Sequence, residues 1–156
     1  MSLNTRTHKI NISLPEIFDQ VRDLSSKDEK VQMLKSYREL KHLKWFVNAM
    51  YNYDFSKTFV PRYTPSKFPP DMCANIWTQV KRIDSAVHVL YRAGDDHRYD
   101  KMMTLALEAM SADEAELIAH MMNGKKVDGI SKRMWREVYP EFFRTEEAAT
   151  SVEAGS

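Results

Sequence analysis

The chain has 156 residues, 43% hydrophobic and 29% charged, with a formal net charge of +1. That is enough for one domain with a real core and the balance of an ordinary soluble globular protein, without a global field, so any nucleic-acid or membrane surface has to be local. Four glycines speak against a turn-rich all-β design, a lone Cys73 excludes an intramolecular disulfide, and no apolar run approaches the roughly 20 residues of a membrane span.

Residues 1–12 read as a polar lead-in without the apolar stretch of a secretory signal. Ser13-Leu14-Pro15-Glu16 has the capping-box pattern, in which a serine hydroxyl caps a helix and a glutamate three residues on reaches back. Leu14, Ile17, Phe18, Val21 and Leu24 follow at helical spacing. Ser26-Lys27-Asp28-Glu29 repeats the box ahead of Val31, Leu34 and Tyr37, and Leu40, Leu43, Phe46, Val47 and Met50 predict a helix over about 39–51. Four prolines between 61 and 70 exclude a helix from the segment 52–70, whose aromatic residues predict an ordered loop pinned to the body. A long helix is expected from Met72 through Ile76, Val80, Ile83, Val87 and Leu90 to a C-cap at Gly94. A shorter one follows over about 97–110, with Met103, Leu107 and Met110 inward and the Asp95-Asp96 pair as its cap.

Ser111-Ala112-Asp113-Glu114 is a third capping box, opening a helix with Leu117, Ile118 and Met121 that Gly124 ends. After a loop at 125–130, Ser131 is placed to cap a last helix with Met134, Trp135 and Val138, stopped by Pro140. Residues 145–156 hold three glutamates and no Lys or Arg, the composition of a disordered tail. The pattern predicts an all-α, single compact domain of about six or seven helices over 13–144.

Chemistry is sparse. His8, His42, His88, His97, His120 and Cys73 show no metal-ligand spacing, and Cys73 reads as a buried, inert thiol suited to a reducing cytoplasm. Neither a nucleophile elbow nor a phosphate-cradling glycine loop occurs. Lys126-Val127-Asp128-Gly129 has the Lys-x-Asp-Gly spacing of the lysine that ATP-dependent ligases and capping enzymes join to a nucleotide. Ser131 stands two positions after its glycine, where an arginine is usual, and too little chain follows for a nucleotidyltransferase core, so the match reads as coincidence. The expectation is a non-catalytic protein with no cofactor and no metal.

Two basic segments remain. In 35–45, Lys35, Arg38, Lys41 and Lys44 oppose only Glu39, and steps of about 300° would sweep them over one broad helix face. In 125–136, Lys125, Lys126, Lys132, Arg133 and Arg136 oppose only Asp128, gathered where a glycine-containing loop feeds a helix start at Ser131. Free backbone N–H groups and positive charge there suit a phosphate, and a solvated loop with a capping serine accounts for the same residues equally well.

Helix order and local motifs over about Leu14 to Phe143 resemble the N-terminal DNA-binding domain of bacteriophage ATP-dependent DNA ligases. The stretch "LPEIFDQVRDLSSKDEKVQMLKSYRELKHLKWFVNAMYN" resembles their opening helices and "FSKTFVPRYTP" their aromatic-basic segment. "SADEAELIAHMMNGKKVDGISKRMWREVYPEFF" resembles their acidic-apolar helix, basic glycine loop and closing helix. The resemblance implies a stand-alone, T-even-like phage module in the cytoplasm of the infected host cell, contacting the sugar-phosphate backbone of double-stranded, possibly nicked DNA without sequence specificity. It maps Gly129, Ile130, Ser131 and Lys132 onto a backbone-contact motif and Lys125 and Lys126 onto a basic loop. Arg133, with Lys41, Lys44 and Arg62, completes the expected DNA-binding set. A second family contact departs here, because "AGDDHRYDK" would set two aspartates against a phosphate. The alternative is a protein-interaction module for a phage replication component or a host protein, anchored by the aromatic 51–68 loop.

Overall fold

A computed structural model describes residues 12–69, 72–73 and 75–143. Among them are seven α-helices and no strand: α1 Leu14–Arg22, α2 Lys27–Ser36, α3 Lys41–Asn52, α4 Ile76–Ala93, α5 Asp96–Ala109, α6 Ala112–Met122 and α7 Lys132–Val138. A 3-10 helix, Pro140–Phe143, closes the described chain. The expected acidic tail, and the polar lead-in apart from Ile12, lie outside the described residues. Ile12 itself is buried in the core.

The helix starts follow the local chemistry. Ser13, Ser26, Ser111 and Ser131 accept from the backbone N–H three residues on, at 3.1–3.3 Å. In the second and third boxes the serine hydroxyl also donates to the glutamate, at 2.9 and 3.0 Å. Asp95 caps α5 through Arg98 N–H at 3.0 Å, so this acid pair serves the helix start. Gly94 ends α4 in the left-handed region at φ 62°, where a side chain would be strained.

Other expectations give way. The long helix begins at Ile76, capped by the Asn75 side chain on Trp77 N–H at 2.8 Å, and Met72 is 67% exposed outside it. Cys73 is half-buried, its thiol 3.5 Å from Ser66 Oγ and 3.6 Å from the Phe68 carbonyl. The basic stripe of 35–45 is not one face. The chain turns at Tyr37–Leu40, leaving Lys35 on α2 and Lys41 and Lys44 on α3, while Arg38 pairs with Glu141 at 2.7 Å and covers the Tyr139 ring.

α4 and α5 form an antiparallel hairpin, α1 packs on α2 and α6, α2 on α7, and α3 touches α4, α6 and the 3-10 helix. Phe18, Phe46 and Trp135 bring α1, α3 and α7 to one point, with ring centroids 5.6 and 6.0 Å apart and all three rings buried. The irregular segment after α3 is held down as its aromatic content suggests. Tyr91 and Tyr99 hydroxyls donate to the Asp54 and Phe59 carbonyls, and Thr64 N–H to Glu108 at 2.7 Å. Trp45 and Tyr53 both donate to Asp84, at 2.8 and 2.9 Å, and burial together with that carboxylate pushes the Tyr53 pKa up to about 12.

Among the described residues a histidine and a glutamate lie inside with the buried tyrosines. His42 places Nε2 at 2.7 Å from the Ile12 carbonyl, and burial lowers its pKa against that hydrogen bond. Glu114 is buried with Oε2 unpartnered, and desolvation raises its pKa against the Ser111 hydrogen bond. No helix among the described residues is long and apolar enough to cross a membrane.

Candidate nucleic-acid interface

The 125–130 loop has a defined shape. α6 ends in a Schellman motif, with Lys125 N–H on the His120 carbonyl at 2.9 Å and Gly124 N–H on the Met121 carbonyl at 3.0 Å. Gly124 takes φ 88°, one residue past the Asn123 cap. Val127 and Ile130 then insert into the core as two apolar pins. Between them the chain turns at Asp128 and Gly129, with Gly129 at φ 83°. Because the pins face inward, Lys125, Lys126, Asp128 and Gly129 are left exposed.

The fold adds groups that no local pattern could have offered. Lys30 of α2 donates to the Gly129 carbonyl at 3.5 Å, across 99 positions of sequence. The Arg22 side chain of α1 lies against the same glycine, with Cγ 3.3 Å from where a Cβ would stand. On the other side, Tyr51 from the last turn of α3 meets Phe143 of the 3-10 helix at 5.0 Å between ring centroids. Three cations gather on this aromatic pair. Lys126 lies 4.6 Å from the Tyr51 centroid, Lys132 5.9 Å from Tyr51 and 6.0 Å from Phe143, and Arg136 5.5 Å from Phe143. Lys132 and Arg136 share a face of α7, one turn apart.

Two acids next to this surface are engaged in ion pairs. Asp19 pairs with Arg22, and Glu137 pairs with Lys27 at 3.5 Å. Asp128 stays within the turn. Arg133 is exposed and falls on the face of Glu137, one turn before it, away from the aromatic pair.

Of the expected DNA-binding residues, Lys125, Lys126, Gly129, Ser131 and Lys132 are therefore brought together, and Arg133 stands on the other face of α7. Ser131 is already engaged as the α7 cap, and α7 has only seven residues, so the anion-binding helix start expected there is a minor feature beside the side-chain charges. Lys41 and Lys44 do not join the group. They lie in the first turn of α3, about 15 and 10 Å along its axis from Tyr51. Lys41 covers Trp77 at 5.7 Å beside Lys81, and Lys44 pairs with Glu39 at 3.6 Å. Arg62 is exposed on the irregular segment beside α5.

Among the described residues no cluster of His, Cys, Asp or Glu has the makings of a metal site. No protein-family model matches the chain, and no curated protein or solved structure is similar to it.

Proposed function

We propose that this chain is a non-catalytic module that holds duplex DNA by its sugar-phosphate backbone, without reading sequence. The observation that carries the reading is the convergence of Lys126, Lys132 and Arg136 on the Tyr51–Phe143 pair, with Lys125, Lys30 and Arg22 along the same loop. Phosphate contacts need donors and positive charge on a fixed spacing, and base-edge readout is not required for affinity. Stacking the ammonium groups over rings limits their rotamers before a phosphate arrives. The resemblance to phage ligase N-terminal domains points to the same loop, and implies action in the cytoplasm of the infected cell.

Titration of a labelled nicked duplex at several salt concentrations tests this. If four to six phosphates are neutralised, log K falls with log salt at a slope of about −0.9 per phosphate, so affinity drops roughly 10²–10³-fold between 50 and 200 mM. Lys126→Glu with Lys132→Glu should make the slope shallower by about one per lost contact. No binding at low salt, or binding indifferent to the double variant, sinks the proposal.

A second reading has its own observation. Phe68 and Met72 are 63% and 67% exposed, and Phe59 40%, on or next to the irregular segment, as in a surface that docks a protein partner such as a replication component. Partners retained from infected lysate after nuclease treatment support it.

A further inference from the structure

The inner side of the same loop encloses a space that a duplex backbone does not need. Between α1, α6 and the loop lies a cavity of about 580 Å³, within the roughly 300–1,000 Å³ of small-molecule sites. Arg22, Lys125 and Lys126 border it, Phe46, Leu117 and Val127 supply apolar wall, and Asp128 is its one carboxylate. A second hollow of about 260 Å³ adjoins it, and Arg22, Leu117 and His120 line both. In that hollow the acids are Asp19, already paired with Arg22, and Asp113 and Glu116. To this shared lining the hollow at the loop adds Lys125, Lys126 and Asp128, and the other adds Asp19, Asp113 and Glu116.

A matching ligand has an anion at one end, a compact body with an apolar face, and hydrogen-bond donors at the other end. Arg22 and Lys125 at the loop end suit a phosphate, whose several oxygens can each accept a charge-assisted contact. Carboxylates accept only, so Asp113 and Glu116 suit amino or hydroxyl groups. We propose that these hollows bind a nucleoside monophosphate unit, its phosphate held by Arg22 and Lys125 and its donor groups turned toward Asp113 and Glu116. An internal duplex phosphate is a monoanionic diester with a sugar on either side, and does not enter a recessed pocket. The unit is therefore either a free nucleotide or the phosphorylated end of a strand. The hollows are distinct from the outer surface proposed to hold the duplex, although Lys125 and Lys126 border both sites.

Amide chemical shifts of Leu117, His120 and Val127 report on the hollows. Deoxyadenosine monophosphate, deoxyadenosine and inorganic phosphate are titrated separately into the full chain. The nucleotide should shift these signals and bind at least roughly tenfold more tightly than either fragment, about one decade of affinity. Lys125→Glu, at an exposed position that the fold tolerates, should remove that advantage, while Lys41→Glu leaves it unchanged. In a second arm, nicked duplexes with a 5′-phosphate or a 5′-hydroxyl are compared at one salt concentration. Tighter binding of the phosphorylated nick assigns the site to strand ends. Equal binding with the free nucleotide still preferred assigns it to free nucleotide. A nucleotide bound no better than its fragments, together with equal affinity for the two nicks, overturns the proposal even if both duplexes bind with the expected salt slope. Nucleotide binding without any duplex binding overturns the backbone reading alone.

Discussion

Replacing Tyr51 by leucine tests whether the cationic shelf is preorganised. Leucine keeps an apolar group against Phe143 and removes the ring face on which Lys126 and Lys132 rest, at 4.6 and 5.9 Å. Each cation–π contact at a partly exposed site contributes about 0.5–1 kcal/mol, and the ring pair about 0.5–1.5 kcal/mol beyond its buried area. The summed loss is about 1.5–3.5 kcal/mol, or roughly 3–14 °C in Tm for a chain of this size. Thermal unfolding followed by circular dichroism measures it, with Tyr51→Phe as a control that keeps the ring face. A double-mutant cycle of Tyr51→Leu with Lys126→Met isolates the pair, and should return a coupling of about 0.5–1 kcal/mol. A coupling near zero, with Tyr51→Leu as stable as the parent, would show that the ammonium is not held by the ring, and would remove the argument for preorganisation.

Three further substitutions probe the loop and the buried ionisable groups. Gly129→Ala forces a side chain into φ 83° with its Cβ 3.3 Å from Arg22 Cγ, and should cost about 1–2 kcal/mol in urea unfolding. Glu114 has a folded pKa raised above 4.5, so its stabilising contribution is complete below 4.5 and is lost as the pH rises through the folded value. Glu114→Gln should therefore gain about 1 kcal/mol at neutral pH, because a neutral amide replaces a buried, unpartnered carboxylate oxygen, and the gain should vanish in acid. His42 has a folded pKa lowered below 6.5, so the unfolded chain binds more protons as the pH falls through 6.5, and stability falls with it. His42→Gln, whose amide can still donate to the Ile12 carbonyl, should flatten that decline; an unchanged stability–pH curve contradicts it.

The helices were legible because their signals are local. A serine cap and a glutamate act across three residues, and four prolines between 61 and 70 forbid a helix wherever the segment ends up. Where the pattern misled, a local signal was present but overridden. The spacing that admitted Met72 to α4 lost to the Asn75 cap, and the even basic stripe of 35–45 was broken by the turn at Tyr37–Leu40. The loop was found from charge and glycine alone, but half of its surroundings were not. Arg22, Lys30, Tyr51 and Phe143 carry no local mark of belonging to residues 125–136.

Sequence by itself determined the helical class, the four serine-capped helix starts and the exposure of Lys125 and Lys126, since capping, periodicity and proline geometry act over one or two turns. Tertiary packing alone decided that Lys126 and Lys132 share a ring with α3, that Arg22 and Lys30 reach Gly129, and that Lys41 and Lys44 stand apart. Those contacts depend on how the Phe18–Phe46–Trp135 core orients α1, α3 and α7, and buried-area free energy has no direction along the chain from which such pairings could be read.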